Sequence, residues 1–218
     1  MPKFSIIVPH YDKSISDDTF KRGIRCLRSQ LFGDFEVLVY HDGPTSRPVP
    51  GFTDDFSLGD KRFKFKETNR RYNDWGHSLR DIGIREATGD YIVHFNPDNI
   101  LYATALEKIN KELEKEYPYP IRVPDNIVIF PVLMRGMRTN GQMVWRDMPN
   151  ANEHYMIYTG FPTIKYNIDA MQLVMKRSLW LKNGGWSNKT ETSDGDMYPE
   201  FVKQTGARYC SEVLGEHW

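Results

Sequence analysis

Hydrophobic and polar positions divide the chain into two unlike halves. Up to residue 116, short apolar runs alternate with amphipathic stretches. Residues 4–8 and 35–40 are largely apolar and rich in β-branched side chains, and each predicts a strand buried on both faces. Between them, Phe20, Ile24, Leu27 and Leu31 share one helical face, which predicts a helix over 19–30 capped by Asp17 or Asp18. Residues 45–60 are rich in Pro, Gly, Ser and Asp and predict a loop. Residues 62–66 alternate, with Phe63 and Phe65 inward. A polar, basic and aromatic loop over 68–76 leads to a helix over 77–87, with Leu79, Ile82, Gly83 and Ile84 inward. Gly89 opens an apolar strand over 91–95, and Pro97, which cannot donate to a ladder, closes it. An amphipathic helix is predicted over 103–116. Strand and helix thus alternate, as in right-handed βαβ units.

Tyr117-Pro118-Tyr119-Pro120 marks a boundary. Beyond it the pattern is mixed. Strands are expected over 127–133, 170–175 and 207–213, and short helices over 178–182 and 199–205, the second with Pro199 in its first turn. Residues 135–152 suggest a hairpin or a long loop, 159–166 is irregular, and 187–196 is a polar loop. The expected architecture is one α/β domain around a central, mainly parallel sheet flanked by helices. Residues 1–116 form one half and 117–218 an elaborated second half.

Composition narrows the function. Lys plus Arg and Asp plus Glu each number 29, and no basic stripe with interleaved aromatics occurs, so no nucleic-acid partner is expected. Cys26 and Cys210 have neither metal-ligand nor disulfide-framework spacing. No signal-peptide pattern and no apolar run near the ~20 residues of a membrane span is present, so a cytoplasmic protein without an integral membrane segment is expected.

Candidate chemistry gathers where the first four strands end. Those ends carry Pro9 and Tyr11, Asp42, the loop over 69–71, and Asp98. They supply an aromatic ring, an acid suited to ribose hydroxyls, an arginine suited to phosphate and an acid suited to a divalent cation. In open α/β sheets ligands bind at these carboxyl ends. No GxGxxG or GxxxxGK[ST] motif is present, which disfavours a dinucleotide site and a P-loop.

The order Ser5-Ile6-Ile7-Val8-Pro9-His10-Tyr11, then residues 35–43 ending in His41-Asp42-Gly43, then 79–92 and Asn96-Pro97-Asp98-Asn99, resembles the GT-A glycosyltransferases of the family 2 type. The resemblance runs over 4–110 and is looser beyond. It implies the GT-A, Rossmann-like nucleotide-diphosphosugar transferase fold. It also implies an inverting transfer from a nucleotide-diphosphate sugar, a UDP-sugar first, to a glycan or glycoconjugate acceptor. Pro9, Tyr11 and Asp42 would hold base and ribose, and Arg70 or Arg71 the base or pyrophosphate. Arg80 stands at the Arg of the family's Ala-Arg-Asn. Asp98 matches the last acid of Asp-x-Asp and would bind Mn2+ or Mg2+, with His217 as a second ligand. Asn96 departs from the family by replacing its first acid. Asp194 or Asp196 matches the catalytic base, and Asp169 an acid near the acceptor. Trp186, Trp145 and Tyr155 offer either rings to stack on an acceptor sugar or packing for the core. Two further readings stand beside this one. One is a catalytically silent GT-A module that binds sugar nucleotide or glycan. The other is a nucleotidyltransferase, which would need a glycine- and basic-rich loop that residues 10–16 do not supply.

Overall fold

The computed structural model describes residues 1–45, 60–118, 123–135 and 156–218. Residues 46–59 of the expected loop, most of the 135–152 segment, and Trp145 and Tyr155 lie outside them.

In chain order the strands are β1 (Phe4–His10), β2 (Phe35–His41), β3 (Phe63–Glu67), β4 (Tyr91–His94), β5 (Ile100–Leu101), β6 (Ile127–Ile129), β7 (Val132–Met134), β8 (Met156–Tyr158), β9 (Leu173–Lys176), β10 (Arg208–Tyr209) and β11 (Gly215–His217). The helices are α1 (Asp17–Arg28), α2 (His77–Glu86), α3 (Ala105–Glu114), α4 (Arg177–Lys182) and α5 (Ser193–Thr205). Seven strands form the main sheet in the order β10-β6-β9-β4-β1-β2-β3, and four form a second sheet in the order β5-β11-β7-β8. β4, β1, β2 and β3 are mutually parallel, with Ile7 opposite His94, His10 opposite His41 and His41 opposite Glu67. β9 runs antiparallel to both β4 and β6.

Every residue of β1 and β2 is buried. Successive side chains therefore serve opposite faces. Phe4, Ile6 and Val8 pack with Phe20, Ile24 and Leu27 of α1 and Ala105, Leu106 and Ile109 of α3. Ile7, Leu38 and Ile92 pack with Leu79 and Ile84 of α2, Trp180 of α4, and Tyr198 and Phe201 of α5. The result is a helix-sheet-helix sandwich whose parallel edge leaves four strand ends side by side.

Several expectations change. Ser16 caps α1, its hydroxyl accepting from the Thr19 N–H at 3.2 Å, while Asp17 and Asp18 sit in the first turn. Leu31 lies beyond the helix and is exposed, because α1 ends at Arg28. The expected strand over 127–133 is two strands in different sheets, parted at Phe130-Pro131, where proline cannot extend a ladder. The expected strand over 170–175 opens as a 3₁₀ turn over Ala170–Gln172, capped by Asp169. The last expected strand, over 207–213, shortens to β10 at Arg208–Tyr209, and β11 lies beyond it, carrying His217 and paired with β7. α5 starts six residues before Pro199, which stands inside the helix. Loss of the proline's N–H is tolerated there because Met197, Tyr198 and Phe201 are buried.

Candidate active site

A cleft of about 650 Å³ opens at the carboxyl ends of β1–β4. Pro9, Tyr11, Asp42, Arg71, Arg80, Asp98, Asp169, Trp186, Asp194 and His217 all line it. Arg70 and Asp196 do not. The guanidinium of Arg70 lies 5.0 Å from the Tyr72 ring centre instead. Asp196 points outward and pairs with Lys165 at 2.7 Å.

At one end the strand tips hold a loop in shape. The Asp42 carboxylate is buried and accepts the backbone N–H groups of Tyr72 at 2.7 Å and Asn73 at 3.0 Å. The Arg71 guanidinium lies 3.8 Å from the Tyr11 ring centre and donates to its hydroxyl at 2.8 Å and to Asn73 Oδ1 at 2.8 Å. Gly43, at φ 95, lets the chain pass: a Cβ there would lie 3.3 Å from the Arg71 amide. Base-sized aromatic and hydrogen-bonding groups thus meet a cation at one rim.

The other end concentrates buried charge. Arg80 of α2 is buried, donates to the Trp75 carbonyl at 2.8 Å and to Asn96 Oδ1 at 2.6 Å, and lies 5.0 Å from the Trp186 ring centre. Asn96, where the resemblance led to an acid, is thus a neutral acceptor for this guanidinium. Asp169 accepts the Met171 N–H at 3.0 Å and pairs with His217 Nδ1 at 3.2 Å. Asp194 lies in the first turn of α5. Burial raises its carboxyl to about 6, and the negative charge of Asp169 adds to the rise. Burial, with the charge of Arg80, lowers His77 to about 4, so this imidazole is neutral near pH 7.

Helix geometry separates the two candidate bases. Residues two apart on a helix point to nearly opposite sides. Asp194 therefore faces the cleft and Asp196 faces Lys165, whose hydrogen bond holds the Asp196 carboxyl below its usual range.

Of the two roles open to Trp186, core packing is the one it takes, and it is not an acceptor platform. It is 1% exposed, stacked against His77 at 5.4 Å and Trp180 at 5.6 Å, with its indole N–H bonded to Ser193 Oγ at 3.1 Å. Two features of the cleft escaped sequence reasoning. Trp75 sits in the polar loop expected over 68–76 with nothing in its pattern to mark it, and the Arg80–Asn96 bond joins two residues that no motif pairs.

The cleft also bears on the expected cation. Among the described residues no group of three or more His, Cys, Asp and Glu side chains is arranged to hold a metal ion. Two of the expected donors, Asp98 and His217, line the same cleft. β5 and β11 pair with Glu216 opposite Ile100, and the Trp218 N–H donates to Asn99 Oδ1 at 3.2 Å. This brings the corner carrying Asp98 alongside His217. One carboxylate and one imidazole suit a cation whose remaining ligands are phosphate oxygens and water.

Glycosyl transferase family 2 matches residues 5–180 of the chain. A Campylobacter jejuni protein named GalNAc(5)-diNAcBac-PP-undecaprenol beta-1,3-glucosyltransferase is 24% identical over 119 residues, covering 55% of this chain and 37% of that protein. An uncharacterized glycosyltransferase of Haemophilus influenzae is 30% identical over 110 residues, covering 50% of this chain and 41% of that protein. The chain spans less than half the length of these relatives. Among solved structures, S. aureus TarS 1-349 in complex with UDP-GlcNAc superposes with a TM-score of 0.63 at 14% identity, covering 99% of this chain and 58% of that one. The mannosyltransferase PcManGT from Pyrobaculum calidifontis, in complex with GDP-Man and Mn2+, gives 0.67 at 15% identity, covering 99% and 56%. At these identities the likeness is one of fold, that of the GT-A glycosyltransferases. The family match takes in β1 to β4, the helices between them and the Asp98 corner, and the chain belongs to glycosyl transferase family 2.

Proposed function

We propose that the chain transfers a sugar from a nucleotide-diphosphate donor, a UDP-sugar first, to a hydroxyl of a glycan or glycoconjugate, with inversion at the anomeric carbon. One observation carries this reading: Asp194, a carboxyl raised to about 6, faces the same cleft as the Tyr11, Asp42 and Arg71 rim. Neighbours of the same fold bind UDP-GlcNAc or GDP-Man with Mn2+, and one relative is named for a glucosyl transfer to a lipid-linked glycan, which supports the donor and acceptor classes.

Tyr11, Asp42 and Arg71 hold the nucleoside and the pyrophosphate. Asp194 accepts the proton of the acceptor hydroxyl, whose oxygen bonds to the anomeric carbon as the bond to the diphosphate breaks on the opposite side. Arg80 fixes Asn96 and Trp75, and its charge favours the ionised form of Asp194. Asp98 and His217 would hold Mn2+ or Mg2+, which when bound supplies positive charge for the leaving diphosphate. Asp169 orients His217.

The test is a thermal-shift screen of UDP-, GDP- and dTDP-sugars with Mn2+ and with EDTA, followed by a turnover assay with the best donor. The expected result is one nucleotide that raises Tm by several degrees, a smaller rise in EDTA, and turnover that needs the cation. Absence of a shift with every nucleotide sinks the proposal. A second reading, a binding module without turnover, is favoured by Asn96 and by the lack of a three-ligand cluster among the described residues. It predicts the same thermal shift with no turnover across an acceptor panel.

A further inference from the structure

Trp75 lines the cleft and is 64% exposed. Among the described residues it is the large, exposed apolar side chain that does so. Its φ of 56 lies in the left-handed region, which bulky residues rarely adopt. The surroundings fix it there. Asp42 holds the Tyr72 and Asn73 amides on one side. On the other, Asp74 Oδ2 accepts from the Ser78 amide at 3.0 Å and from its hydroxyl at 2.6 Å. The Trp75 carbonyl accepts from Arg80, and a Cβ on Gly76 would lie 2.6 Å from Pro9 Cβ. The backbone is therefore held tightly while the indole stays bare. A bare indole adds little to folding, so the strained backbone is explained by what the ring meets.

We propose that the Trp75 indole is the stacking platform for a pyranose ring in the cleft, the donor's or the acceptor's. The reading rests on the glycosyl transfer proposed above. The C–H face of a pyranose is weakly positive and complements the negative face of an indole. Position favours a sugar. The indole is 6.1 Å from the His77 ring, and His77 Nε2 lies 3.3 Å from Ser193 Oγ, next to Asp194. In the other direction, Asn73 is bonded to Asp42. The ring thus stands between the proposed nucleotide rim and the proposed base, where the transferred sugar must pass. Trp186 has no free face to offer.

The test uses the chain labelled with 15N-tryptophan, the Trp75 indole resonance being assigned by its loss in Trp75→Phe. Probes are UDP, UDP-GlcNAc, UDP-glucose, and the methyl β-glycosides of glucose and GlcNAc. The expected result is a Trp75 shift with a UDP-sugar or a glycoside, and little with UDP alone. Trp75→Ala weakens that sugar-dependent binding by about five- to tenfold, Trp75→Phe largely restores it, and UDP affinity stays unchanged. A shift that needs the UDP-linked sugar assigns the donor ring, and one with a glycoside assigns the acceptor ring. A resonance that no probe moves, or that UDP alone moves as far as the UDP-sugars do, overturns the proposal. If no nucleotide binds the chain at all, the transfer reading falls, and the glycoside arm still decides the role of Trp75.

Discussion

The two ends of the cleft are built on opposite principles. At the proposed nucleotide end, polar groups are mutually satisfied: both Asp42 oxygens are taken by backbone amides, and Arg71 bonds Tyr11 and Asn73. At the far end, charges are gathered under partial burial. Among the described residues Arg80 bonds to neutral partners, and Asp194 keeps its proton to a higher pH than a free carboxyl does. A satisfied network holds a shape, whereas a poorly compensated carboxyl is poised to exchange a proton near neutral pH. On the proposed function, holding falls to one end and chemistry to the other.

The largest effect expected from this division is on turnover. Asp194→Asn should lower kcat by about 10²- to 10⁴-fold, the usual range for a general base, with nucleotide affinity unchanged. Asp196→Asn, which loses an exposed ion pair with Lys165 and keeps an oxygen for the Thr192 hydroxyl, should stay within a few fold of wild type in the same steady-state assay. Equal losses in the two variants would erase the distinction drawn between the faces of α5.

A smaller effect is expected at the holding end. Asp42→Ala leaves the Tyr72 and Asn73 amides without their acceptor. Each orphaned group costs about 1–3 kcal/mol when buried. Calorimetry should show nucleotide affinity reduced at least about tenfold and Tm lowered by several degrees. An unchanged Tm would mean that the loop holds its shape without Asp42.

The smallest effect is a pH dependence. The Asp194 carboxyl is raised from 3.8 to about 6, so its base form is lost as pH falls through about 6. The rate should drop about tenfold per pH unit below that point. Between about 4 and 6 the folded chain binds more protons than the unfolded one, so this residue makes stability fall as pH rises through that window. Asp194→Asn should abolish the acidic limb of residual activity and raise Tm slightly at pH 7. An acidic limb that persists in the variant assigns the titration to another group.

The two ends also differ in how far they could be read from the sequence. β1, β2 and β4 are buried on both faces, so their apolar runs mark them directly, and the turn residues that follow place Asp42 and Asp98 at one rim. The far end depends on contacts between distant segments. β5, β7, β8 and β11 have two or three residues each and gain their ladders only from one another, so no local period announces them. Asp194 and Asp196 both match the family's base motif, and the sequence pattern places them in a polar loop ahead of the helix. With the helix beginning at Ser193, their spacing alone sends them to opposite faces. Trp186 packs under Arg80 and Trp75 lies open to the cleft, a difference no local pattern carries, because a tryptophan's burial is set by tertiary packing.

The division between holding and chemistry is tested most directly by titrating UDP, with Mn2+ present, into the Asp42→Ala and Asp194→Asn variants side by side in a calorimeter. The account predicts that Asp42→Ala loses at least about tenfold in affinity while Asp194→Asn binds as the wild-type chain does. Wild-type affinity in Asp42→Ala, or a loss in Asp194→Asn as large as that in Asp42→Ala, would contradict it.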